Sequence, residues 1–135
     1  MVENSLPLKE KLEASKKYLQ NANLKGADLA GAELKGALLS GADLSGANMK
    51  KIFLGDAELH KANLTKANLE EANLNSADLN KANLNGANFQ WSIIRHAIMD
   101  GSTAFKADFR KAKIRKTNLK LVKFCETLMP YGTDN

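Results

Sequence analysis

From Leu19 to Met129 the chain repeats on a five-residue period without one insertion or deletion. The stretch NANLKGADLAGAELKGALLSGADLSGANMK, residues 21 to 50, displays the word: Ala, then usually Asn, Asp or Glu, then Leu, then two small or polar residues. Of 23 word centres, 14 are Leu, and only Ala104 lacks a bulky apolar group. Two residues before the centre, 16 of 23 positions are Ala; the exceptions are Lys17, Ile52, Ser92, Ser102, Thr117, Val122 and Thr127.

Neither regular element has this period. A helix advances about 100° per residue, so centres five apart fall about 140° apart and never form one buried face. In a continuous strand an odd step sends successive centres to opposite faces. The chain must therefore turn once per word. A short extended piece holds the Ala and the centre, two apart, on one side, and the next two residues make a corner. Gly recurs at the second corner position (Gly26, Gly31, Gly36, Gly41, Gly46, Gly86, Gly101), where backbone freedom is useful. Such a chain coils and stacks on itself. The Asn or Asp before each centre points outward and can hydrogen-bond to the corner backbone, a scaffold role that leaves no paired general acid and base.

ANLKGADLAGAEL, ANLTKANLEEANLNSADLNKANLNGANF and ADFRKAKI resemble the pentapeptide-repeat family, whose word is A(D/N)LXX. The resemblance implies an all-β fold: a right-handed quadrilateral β-helix with four words to a coil and Ala and centre inside. Over residues 18–129 that makes nearly six coils, about 28 Å of stack at roughly 4.8 Å per layer. Burying each Leu contributes roughly 1.5–3 kcal/mol.

A stack of coils has open ends. SLPLKEKLEASKKYL predicts a short capping α-helix over about 6–17, within an N-terminal cap of residues 1–17. Ser5 and Pro7 are its start signals, and Leu8, Leu12 and Leu19 share one helical face. Glu13 and Lys17 stand at i,i+4. At the other end, in the tail 130–135, Pro130 removes a donor and Gly132 permits a turn.

No catalytic constellation, cofactor site or metal site can be read from the residues. His60 and His96 belong to different corners, Cys125 is the single cysteine, and the glycines are spaced by the repeat and form no phosphate loop. No run of about 18 apolar residues occurs, and MVENSLPLKEKLEASKKYLQ has no apolar run of signal-peptide length. The expectation is a soluble cytoplasmic protein, monomeric, without enzymatic activity.

Two outward features stand apart from the scaffold. Phe53, Ile93, Trp91 and Phe105 are apolar at positions that normally face water. Between 95 and 123 lie nine basic residues, Arg95, Lys106, Arg110, Lys111, Lys113, Arg115, Lys116, Lys120 and Lys123, against Asp100 and Asp108. On four sides these bases are expected to ring the last coils as a collar and not to line one side. Candidate partner-binding residues are Arg95, Arg110, Lys111, Arg115, Lys116, Phe53, Trp91 and Phe105. The leading expectation is a structural scaffold or protein–protein interaction module. The alternative is a nucleic-acid or topoisomerase-directed binder using the basic coils. Quinolone-resistance members, as the resemblance implies, mimic DNA through negative charge and dimerise at a C-terminal module. The basic C-terminal coils here argue against that role.

Overall fold

The computed structural model describes residues 7–130. Eighteen parallel β-bridges, from Asn23↔Asp43 to Asp108↔Leu128, each join residues twenty apart. Four corners per coil and one bridge per side make a four-sided solenoid, as the family resemblance implies. The sides are too short for extended ladders. Two of five residues are spent on the corner, so each side is an isolated bridge, and regular strand is nearly absent.

Each word makes the same few bonds. The Leu24 N–H donates to the Asp43 carbonyl (2.7 Å), Gly26 N–H to Ser45 (2.9 Å), and Asp43 N–H back to Ala22 (2.9 Å). The corner closes when Ala27 N–H donates to Leu24 C=O (3.1 Å). With positive φ at its third residue, this is the pattern of a type II turn. Positive φ recurs at the second corner position from Asn21 to Glu126, in fifteen residues that are not glycine as well as in seven glycines. Interlocked coils hold Lys, Asp, Glu and even Trp91 in a region that L-residues disfavour. At Gly41 an added Cβ would press on Asn21 Oδ1, so the Asn21 side chain would have to move.

The first corner residue is held by the side chain before the centre. Asn or Asp Oδ1 accepts from the backbone N–H two residues on, as in Lys50→Asn48, Asn75→Asn73 and Gln90→Asn88. Inside, Ala and centre residues are fully buried through the middle of the stack. Equivalent side chains repeat at one interstrand spacing. The Phe89 and Phe109 rings therefore stack face to face, centroids 4.7 Å apart. Ser92 and Ser102 take the inward small-residue position and donate their hydroxyls to Phe89 and Met99 carbonyls.

The ends differ from expectation. The helix α1 runs Leu8–Ser15 and passes into a 3-10 turn, Lys16–Tyr18, shorter than predicted. Ser5 lies outside the described residues. Leu12 is buried, but Leu8 is exposed, and Leu19 serves the first coil and not the helix. Glu13 does not use Lys17: its Oε2 accepts the Glu33 N–H (2.7 Å), where a preceding coil would have offered a carbonyl. Lys16 C=O likewise accepts from Leu38 N–H (2.8 Å). Tyr18 sits in the 3-10 turn, so bridging begins at Asn23, one word later than the repeat suggests. In the last coil the centres Ile114 and Leu119 are half-buried, and Phe124 and Met129 are exposed, because no described coil covers them. Gly132 and the tail beyond Pro130 lie outside the described residues.

Candidate functional site

The bridges sort the outward residue of each word onto four sides. The first side carries Asn23, Asp43, Asn63, Asn83, Thr103 and Lys123, and the second carries Asp28, Asn48, Asn68, Asn88, Asp108 and Leu128. The third carries Glu33, Phe53, Asn73, Ile93 and Lys113, and the fourth Leu38, Glu58, Asp78, Ile98 and Asn118. On the second side five of six positions make the corner-holding bond. On the third side only Asn73 does. The other four third-side positions do not carry the residue types that support the corner.

Phe53 and Ile93 therefore share the third side, two coils apart. Phe53 is exposed and Ile93 half-buried. Trp91 stands on the corner leading into this side, exposed, with Lys111 Nζ 5.9 Å from its ring centroid. Phe105 does not join them. It lies on the corner between the first and second sides, where its N–H donates to Asn85 Oδ1. Beside Phe53 a notch of about 230 Å³ opens between Glu33 and Asp56, because Gly55 puts no side chain into the corner row.

The basic residues stand on all four corners of the last coils, as a collar would, but unevenly. Corner positions 110 and 111 lead into the third side, 95, 115 and 116 lead out of it, and Lys113 is on it. Six of the nine bases thus flank one side, and only Lys106, Lys120 and Lys123 lie elsewhere. The cause is register: two residues on each bounding corner plus one between them all address one side. Among the described residues, Arg95, Lys113, Arg115 and Lys116 make no ion pair. Arg110 is spoken for. Its guanidinium grips Asp108, Nη2 to Oδ2 at 2.7 Å and Nε to Oδ1 at 3.0 Å. The hydrogen bond from Arg110 holds the Asp108 carboxyl below its ordinary value, with burial opposing. Asp43 is lowered too, through hydrogen bonds from the Ser45 hydroxyl and N–H.

Among the described residues no group of three His, Cys, Asp or Glu could hold a metal ion, and His60 and His96 stand on different corners. Cys125 is exposed and free. Among the described residues no helix is long and apolar enough to cross a membrane. What the third side offers is an exposed Phe53, a half-buried Ile93 two coils on, and a cluster of cations at its C-terminal end.

The model for pentapeptide repeats (8 copies) matches residues 18–56, 54–90 and 82–120. Among solved structures, a pentapeptide repeat protein from the thylakoid lumen of Arabidopsis thaliana is 29% identical. It aligns over 76% of this chain and 73% of its own, with a TM-score of 0.60. The pentapeptide repeat protein Rfr23 of the cyanobacterium Cyanothece 51142 is 23% identical over 89% of this chain and 95% of its own, with a TM-score of 0.56. A search of curated protein sequences finds no match. The uninterrupted five-residue word, the twenty-residue bridge spacing and the family match converge, and the chain belongs to the pentapeptide-repeat family.

Proposed function

We propose that this protein is a non-enzymatic interaction scaffold, a monomeric right-handed quadrilateral β-helix that docks a partner on its third side. The observation that carries this reading is the exchange of residues there. Asn or Asp in four of five positions would have strengthened the corners, yet the chain places Glu33, Phe53, Ile93 and Lys113. An exposed Trp91 near cations, with an exposed Phe53 two coils away on the same side, has residue types found in interfaces. A cytoplasmic location belongs to the same proposal, supported by the single free thiol, Cys125. The relative from a thylakoid lumen indicates that the fold also serves elsewhere.

A photocrosslinking residue at Ile93 should capture a discrete partner in cells, while the same residue at Thr103, on the opposite side, should not. Equal adducts from both positions would refute the third side as the docking face. The crowding of six of the nine bases on and around one side also favours a second reading, nucleic-acid binding. It is separated by salt dependence below.

A further inference from the structure

Gly55 differs from every other glycine among the described residues. The other seven have positive φ at the second corner position, whereas Gly55 takes the first corner position and is not left-handed. The backbone there does not ask for glycine. Nor does crowding: an added Cβ would meet only the Asn75 carbonyl, at 3.6 Å, and Lys35 Cγ, at 4.0 Å, both ordinary contacts. What glycine does at this position is open the notch of about 230 Å³ beside Phe53.

The lining of the notch is mostly acceptors around one aromatic ring. Glu33 and Asp56 are exposed and make no ion pair among the described residues, and Phe53 is exposed beside them. Asn75 also lines the notch, and its buried Oδ1 has no hydrogen-bond partner among the described residues. Lys35 is the one cation of the lining, and it pairs with neither carboxylate. Two carboxylates against one ammonium leave the notch negative, on a chain whose net charge is +5.

Resting on the third side being the docking face, we infer that this notch receives an arginine side chain of a partner protein. A guanidinium offers several N–H donors in a planar fork to the carboxylates and a flat face to the Phe53 ring. An ammonium is a compact, strongly hydrated point charge and makes less use of both. A phosphate or an acidic segment would meet Glu33 and Asp56 as like charge, and a free amino acid would bring its own carboxylate against them. Only a side chain presented from another chain enters with its charge alone.

The test is NMR on the isotope-labelled full chain, reading the backbone amide peaks of Phe53 and Asp56. The probes are short Ser/Ala peptides with Arg, Lys or citrulline, the uncharged isostere, at the centre. The Arg peptide should bind at least about threefold tighter than the Lys peptide and about tenfold tighter than the citrulline peptide. Gly55→Leu fills the notch, and Asp56→Asn removes a charge with a residue that accepts the left-handed φ of 58°. Each should weaken the Arg peptide at least about fivefold. Glu58→Gln, the same loss of charge on the fourth side, should change binding less than about twofold, with thermal melts confirming that all three variants fold. Equal binding of the Arg peptide and either other peptide, unchanged binding in Gly55→Leu or Asp56→Asn, or arginine methyl ester binding as tightly as the Arg peptide would overturn the inference. If crosslinking at Ile93 captures a partner while no peptide binds, the arginine chemistry is wrong and the docking face stands. If the Arg peptide binds selectively while Ile93 captures nothing, the notch stands and the cellular docking role does not.

Discussion

A lysine in the lumen and a glutamate on the corner test the inward and outward positions residue by residue. Leu69 is fully buried, with no polar partner at its depth. Leu69→Lys would strand an ammonium in a dry lumen and should leave no folded protein at room temperature. Lys66→Glu, exposed at a corner, should stay within about 0.5 kcal/mol in a thermal or urea melt. Corner geometry makes its own prediction. Lys61 holds φ at 60°, so Lys61→Val, β-branched, should cost about 1–2 kcal/mol, whereas Lys61→Gly should be neutral or stabilising. Equal stability of the two variants would contradict the left-handed corner. Asp108 adds a pH dependence. Its folded value lies below the ordinary 3.8, so its contribution is present above that value and lost as pH falls through the folded one. Arg110→Gln should raise the Asp108 carboxyl toward 3.8, read by NMR titration, and should lose less stability on acidification than the parent protein.

At the scale of the element, α1 meets the first coil with polar as well as apolar groups. Leu12 buries against the core, and Glu13 accepts the Glu33 N–H. We propose that α1 caps the stack. Deleting residues 1–17 should expose the first coil's apolar lumen and edge and lead to end-to-end association, with β content largely retained. Size exclusion and circular dichroism read both effects. A truncated chain that stays monomeric and equally stable would show that α1 is not a cap. The helix was only partly legible beforehand. Leu8 and Leu19 have helical spacing with Leu12, but Leu19 is also in phase with the five-residue word, and the coil claims it. The role of Glu13 could not be read from spacing, because its acceptor function depends on a backbone group twenty residues away.

The whole molecule is a stack in which every surface row is set by a period of twenty. Its net charge of +5 is modest, and the cations gather at one end of one side. Duplex DNA binding should therefore be weak and without sequence preference, or undetectable, at physiological salt. Whatever binding appears at low salt should have a shallower salt slope in the fourfold Ala variant of Arg110, Lys111, Arg115 and Lys116. Sub-micromolar, sequence-selective binding at physiological salt would displace the protein-scaffold reading.

The period alone determined that the chain must turn every five residues, which side chains go inside and which outside, and that the coils stack. These are local consequences of an odd step and a buried Leu, and they hold whatever the coils do next. The family resemblance supplied four words to a coil, and the bridges place partners twenty apart. Only the tertiary structure decided what depends on residues far apart in the chain. Thr117 and Thr127 send their hydroxyls to carbonyls in the coil before. Phe89 and Phe109 stack across coils, and fifteen side-chain-bearing residues accept a left-handed corner because their neighbours hold them there. The same long-range register makes the ring of charge denser around one side. Arg95, Lys111, Lys113 and Arg115 come together because one coil brings corner, side and corner back over the same place twenty residues later.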